Sequence, residues 1–228
     1  VKVLGISAGT SETSASTRLA QKIADAAEGG AEIIGLKPYA RDIADAITRG
    51  YPSERLAKLF DAVDKADALV AVTPIYNAMP SGLFISFFDV LPEETLQGKP
   101  VALGATGGSP RHSLVIEQAM RPMFVYTHAM VPTTAVYAAT EDWGAPGEGF
   151  EGSTGRTLGN RILREGQELA NLVAVAKGLT PNHGPAQGEL DEAPQAAEEH
   201  PDRSDLSSAE DAAIANFPDF VPFDQLLK

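Results

Sequence analysis

The sequence predicts a doubly wound α/β domain, a parallel β-sheet with helices packed on both of its faces. Three observations carry this reading. Short apolar, β-branched runs alternate along the chain with amphipathic stretches of helical period. The apolar runs lack the polar alternation of a half-exposed strand, so they suit strands buried on both faces. The segments that leave several of these runs are rich in Gly, Ser, Thr and Pro, and in α/β sheets ligands bind beyond the carboxyl ends of strands.

Val1–Ser7 is the first expected strand. Ser16–Ala27 follows as a helix, with Leu19, Ala20, Ile23, Ala24 and Ala27 in one stripe that stops before Gly29-Gly30. Ala31–Leu36 is the second strand, and Glu54–Lys65 a helix with Leu56, Leu59, Phe60 and Val63 on one face. Ala68–Thr73 is the third strand, with Pro74 expected to stop it. Leu83–Leu91 reads as a helix, Val101–Ala105 as the fourth strand, Leu114–Tyr126 as a helix, Val131–Tyr137 as the fifth strand and Thr157–Lys177 as a long closing helix. Five strands joined by helical crossovers imply right-handed βαβ units. Five suit the flavodoxin-like order 2-1-3-4-5, a three-layer sandwich, better than the six-stranded dinucleotide fold.

The expected domain spans residues 1–178. Its connection Ala138–Ser153 is long, Gly-rich and acidic and contains Trp143, which marks a functional or irregular loop. Residues 179–208 are rich in Pro, Glu, Asp, Ala and Gln and read as an acidic linker. Residues 209–228 end in an aromatic segment with Phe217, Phe220 and Phe223, expected to dock on this subunit or a neighbour.

Composition excludes several functions. The formal net charge of −13 opposes nucleic-acid binding, which needs a basic surface. The absence of cysteine removes disulfides, thiolate metal sites and a cysteine nucleophile, and fits a reducing cytoplasm. No run reaches the roughly 18 apolar residues of a membrane span. The N-terminus reads as a strand, without the pattern of a signal peptide.

Three loops carry the candidate chemistry. The first, Ser7–Thr17, opens a helix whose unpaired N-terminal amides favour an anion. Ser14, Ser16 and Thr17 offer hydroxyl donors around one phosphate, with Gly9 counted among the binding residues; the plainer alternative is a helix cap. The loop is neither a Walker sequence nor a G-x-G-x-x-G. The second loop places Pro74, Ile75, Tyr76 and Asn77 beside it, where backbone amides can meet a flat heteroaromatic ring; an ordinary turn with Tyr76 as a core ring is the alternative. The third, Thr106-Gly107-Gly108-Ser109, has adjacent glycines that let backbone approach a ligand. Arg111 and His112 follow it, His112 as a surface or capping residue before a catalyst.

Together these segments resemble the NADPH-dependent FMN reductase family of flavodoxin-like enzymes, over about residues 1–177, and Gly104–Phe124 resembles an actinobacterial-type branch. The resemblance implies FMN, with NAD(P)H as co-substrate. It implies an FMN phosphate on Ser7, Gly9, Ser14, Ser16 and Thr17, and an isoalloxazine between Pro74–Asn77 and Thr106–Ser109. It implies a cytoplasmic homodimer or homotetramer and a flavin-dependent monooxygenase as partner. Many members carry arginine where this chain has Ser11 and lysine where it has Ile85. No acid, base, nucleophile or metal ligand is assigned. A quinone, azo or metal reductase with bound FMN and a non-enzymatic electron carrier are the competing readings, and a serine esterase is disfavoured, with no G-x-S-x-G elbow expected and only four histidines present.

Overall fold

A computed structural model of the chain describes residues 1–11, 13–27, 31–143 and 157–179. The expected linker beyond Leu179, the C-terminal docking segment and the long connection from residue 144 to 156 lie outside the described residues. In chain order the elements are β1 (Val3–Ser7), α1 (Ala15–Ala26), β2 (Glu32–Gly35), α2 (Ala40–Arg49), α3 (Glu54–Asp64), β3 (Ala68–Tyr76), β4 (Met79–Pro80), α4 (Gly82–Val90), β5 (Val101–Gly107), α5 (Arg121–Tyr126), β6 (Val136–Ala139) and α6 (Leu158–Ala176).

Five strands run parallel in the order β2-β1-β3-β5-β6, the flavodoxin-like order. The two-residue β4 is a sixth strand that the sequence reading lacks; it folds back antiparallel on the tip of β3. Helices α1 and α6 cover one face, where Leu19, Ile23, Leu169 and Val173 meet Val70, Val72 and Ala102. They lie close because α6 presents Gly166 to Ala26: a Cβ at Gly166 would stand 2.5 Å from the Ala26 backbone. The other four helices cover the second face. There Phe84, Phe88 and Phe124 pack edge to face, with centroids 4.7 to 6.2 Å apart, the arrangement that ring quadrupoles favour.

Four expectations change. Helix α2 is absent from the sequence reading because it buries only Ile43 and Ala46, too little to show a stripe. Pro74 does not stop the third strand, which continues to Tyr76. Pairing with β1 ends at Val72, so Pro74 lies on an open side and its missing N–H breaks no ladder, while its other side pairs with Thr106. The helix expected over Leu114–Tyr126 is α-helical only from Arg121. Pro122 cannot donate to the Gln118 carbonyl and its ring would crowd it, so the chain widens into a π turn over Ile116–Met120.

The fifth strand, expected over Val131–Tyr137, runs from Val136 to Ala139. Met130 touches the sheet at Pro100, and pairing resumes only at Gly104 with Val136. Alternate amides of β5 point to this side: that of Val101 donates to Met130, and that of Leu103 finds no strand. Glu165 on α6 fills the gap, its Oε1 accepting from Leu103 N at 2.8 Å. The detour itself is tied by side chains. Arg121 donates to the carbonyls of Pro132 and Thr133, and Glu168 accepts from the amide and hydroxyl of Thr134.

Glu165 is fully buried and its Oε2 has no partner among the described residues. Burial pushes its carboxyl well above the usual 4.5, and the neighbouring Glu168 adds to the rise. The folded state therefore holds this proton at pH values where the unfolded chain has released it, so stability falls as pH rises from about 4.5 towards the folded value. Glu165→Gln keeps the acceptor for Leu103 and never ionises. Urea unfolding should find the variant within about 1 kcal/mol of the parent at pH 5, with the balance moving in its favour by pH 8. A difference that does not change with pH contradicts the assignment.

Candidate functional site

The three loops singled out in the sequence leave the carboxyl ends of β1, β3 and β5, three adjacent strands. Ser14 is the N-cap of α1, its Oγ accepting from Thr17 N at 3.3 Å. Ser7 ends β1 fully buried; its Oγ lies 2.9 Å from Thr17 Oγ1 and accepts from Gly9 N at 3.3 Å. Gly9 is required by this turn, since a Cβ there would fall 1.7 Å from Ser14 Oγ. Ser16 points inward instead of towards the open loop. Its Oγ lies 2.7 Å from Thr106 Oγ1, both residues buried, and this bond joins the start of α1 to the end of β5.

The second loop is a hairpin. Asn77 and Ala78 both have positive φ, 51° and 60°, as a two-residue turn between β3 and β4 requires. For Ala78 that conformation costs roughly 1 kcal/mol. The base is held by buried groups: Thr73 Oγ1 donates to Ser81 Oγ and accepts from Ser81 N, while Ser81 caps α4. Tyr76 is 53% exposed, so it is no core ring, and Asn77 is exposed beside it, whereas Pro74 and Ile75 are half-buried.

In the third loop the two glycines differ. Gly107 has no room for a side chain, because a Cβ would meet Tyr137 Oη at 2.1 Å. Around the position of a Gly108 Cβ there is open space to 4 Å. No group of the described chain demands glycine there, so the open side suits a ligand lying against the backbone. Ser109 is half-buried; its carbonyl accepts from Tyr137 Oη at 2.8 Å, and its Oγ accepts from the Arg111 amide. His112 is half-buried in a 3-10 turn.

Chemically the edge offers hydroxyls and amides and very little charge. No lysine or arginine occurs from Ser7 to Thr17. The next residue, Arg18, stacks on Trp143, its guanidinium carbon 3.9 Å from the ring centroid. Contrary to the expectation of no nucleophile elbow, Gly5-Ile6-Ser7-Ala8-Gly9 has that spacing. Ser7 is nonetheless buried within a strand, and no histidine is among its hydrogen-bond partners in the described residues. The described residues also contain no cluster of three or more His, Asp or Glu fit to hold a metal. A groove of about 410 Å³ lies elsewhere, between α1 and α6, lined by Lys22, Ala26, Trp143, Leu158 and Ile162. It touches none of the three loops. Tyr137, Thr73 and Ser81 shape the edge without having been singled out in the sequence: their partners lie 8 to 28 residues away, and no local motif marks such pairs.

Comparisons with known proteins bear on the family and the fold. The profile of a family described as NADPH-dependent FMN reductase matches residues 1–144. The chain is 35% identical over 143 residues to the NADH-dependent FMN reductase SfnE of Pseudomonas putida, covering 61% of this chain and 77% of that one. It is 31% identical over 146 residues to an FMN reductase (NADPH) of Pseudomonas aeruginosa, covering 62% and 78%. Among solved structures, an oxidoreductase from Corynebacterium diphtheriae shares 37% identity with a TM-score of 0.69, covering 76% of this chain and 97% of the other. The apo form of an NADH:FMN oxidoreductase shares 25% identity with a TM-score of 0.58, covering 71% and 86%.

A crowded glycine and an open one predict different costs. Gly9→Ala should displace Ser14 and uncap α1, lowering stability by about 1 kcal/mol or more, whereas Gly108→Ala should leave the melting temperature within a degree or two of the parent. Thermal unfolding of the two variants side by side checks this, and equal losses would contradict it.

Proposed function

We propose, since the chain belongs to the NADPH-dependent FMN reductase family, that the carboxyl edge of its sheet holds FMN while NAD(P)H reduces it. The observation that carries the reading is the Ser16–Thr106 bond, which keeps the first loop and the glycine turn at one edge, beside the open space over Gly108. FMN supplies the redox chemistry: it accepts a hydride from the reduced nicotinamide, leaving oxidised nucleotide and reduced flavin. The chain supplies position. The N-terminal amides of α1, with Gly9 and the hydroxyls of Ser14 and Thr17, receive the phosphate; the buried Ser7 and Ser16 set the loop's place. Pro74, Ile75, Tyr76 and Asn77 lie along one side of the ring, and Thr106, Gly107, Gly108 and Ser109 along the other. No side chain at this edge is needed to move a proton.

The lack of a cation in the first loop supports weak retention of the phosphate, so FMN enters as a substrate and leaves reduced. A flavin-dependent monooxygenase is then the natural recipient. We place the reductase in residues 1–178, with 179–208 as linker and 209–228 as docking segment. A cysteine-free chain suits the cytoplasm, and the exposed Leu114, Val125 and Tyr126 suit contact between subunits of a homo-oligomer.

Steady-state oxidation of NADH and NADPH, with FMN varied, tests the reading. The purified chain should carry little flavin and should saturate with free FMN as with a second substrate. Gly108→Ala should raise the apparent FMN constant about tenfold. Stoichiometric bound flavin, with a rate indifferent to added FMN, assigns the prosthetic-group alternative; no FMN binding and no nucleotide oxidation rejects both.

A further inference from the structure

We infer that Tyr137 is a positioning residue for the flavin, a strut on β6 that sets the conformation of the glycine turn. The inference rests on the FMN reading of this edge. Tyr137 is 5% exposed, and its ring passes beneath β5 so that its hydroxyl fills the space a side chain at Gly107 would need. The same hydroxyl donates to the Ser109 carbonyl at 2.8 Å. One group thus dictates glycine at 107 and anchors the backbone two residues on.

The strand that carries the ring is itself held. Arg161 Nη1 donates to the Tyr137 carbonyl at 2.5 Å, and Nη2 to Asp142 Oδ1 at 3.0 Å. Asp142 Oδ2 in turn accepts from the amide of Ala139, at the end of β6. The strut therefore stands on a fixed strand end tied to α6. Burial, with Asp142 nearby, pushes the Tyr137 hydroxyl above its usual value of 10.0, so it stays a donor throughout the neutral range.

The anchored carbonyl matters to a flavin because of its sign. It belongs to the peptide before Pro110, which has no N–H to balance it. Left loose, it is a lone acceptor beside a ring whose pyrimidine edge consists mostly of acceptors. Turned into the protein, it leaves the outer side to the amides of Gly108 and Ser109, which have no partner among the described residues. Tyr137 thus acts on affinity and ring placement through the turn, without touching the reacting atoms.

The test uses the full chain as parent, Tyr137→Phe, Gly107→Ala and the double variant. FMN affinity is read by fluorescence quenching, the bound-flavin absorption spectrum is recorded, and thermal unfolding is measured alongside. Tyr137→Phe should weaken FMN about fivefold, the equivalent of one hydrogen bond, and shift the bound spectrum. Gly107→Ala should weaken FMN more, and adding Tyr137→Phe to it should recover part of that loss, because the hydroxyl is the atom that the new methyl strikes. A lower melting temperature with unchanged affinity and spectrum, or no recovery in the double variant, overturns the inference. A parent chain that binds no FMN overturns the functional reading itself, and the inference with it.

Discussion

A single buried hydrogen bond, Ser16 to Thr106, sets the geometry on which the rest of the edge depends. It spans 90 residues of sequence and connects the first turn of α1 to the tip of β5, with β3 running between β1 and β5. A buried hydroxyl without its partner costs on the order of 1–3 kcal/mol, so the pair resists sliding of the helix along the sheet. The rest of the edge is measured from it: the capped loop of Ser7–Thr17 on one side, the glycine turn on the other, and the Asn77–Ala78 hairpin rising from the strand in the middle.

The sheet accommodates a defect to keep that edge in register. Parallel strands need their amides paired, yet Pro132 and its neighbours lead the chain away from β5 between Met130 and Val136. Side chains do there what a strand does elsewhere. Glu165 accepts from Leu103, Glu168 from Thr134, and Arg121 donates to two carbonyls. A core carboxyl pushed well above its usual value is the consequence, since burial disfavours the charged form. Downstream of the defect β6 returns to pair with β5, and that return places Tyr137 beneath Gly107.

The chemistry of the edge follows from what it lacks as much as from what it holds. With hydroxyls, amides and glycines but no positive side chain from Ser7 to Thr17, the first loop has only hydroxyls and helix-terminal amides to offer an anion. That scarcity of charge is what the proposed reading of an exchanging FMN rests on, in a family whose flavin carries the redox chemistry.

Much of the fold was legible in the sequence because strands buried on both faces and amphipathic helices write their periods locally. The strand order, the capped loop after β1 and the paired glycines after β5 are all visible there. The limits of that local code explain each departure. Pro74 continues a strand because only the neighbouring strand's length decides whether its missing N–H matters. Helix α2 escaped notice because two buried residues make no stripe. The two glycines at 107 and 108 look alike in sequence, yet one is dictated by Tyr137 and the other faces open space. By itself the sequence determined which residues form strands, helices and polar loops, since backbone propensity and burial pattern act over a few residues. Tertiary structure alone decided which hydroxyls point inward, which glycine a partner requires and which carboxyl is pushed towards its neutral form. Those outcomes depend on atoms brought within 3 Å from tens of residues away.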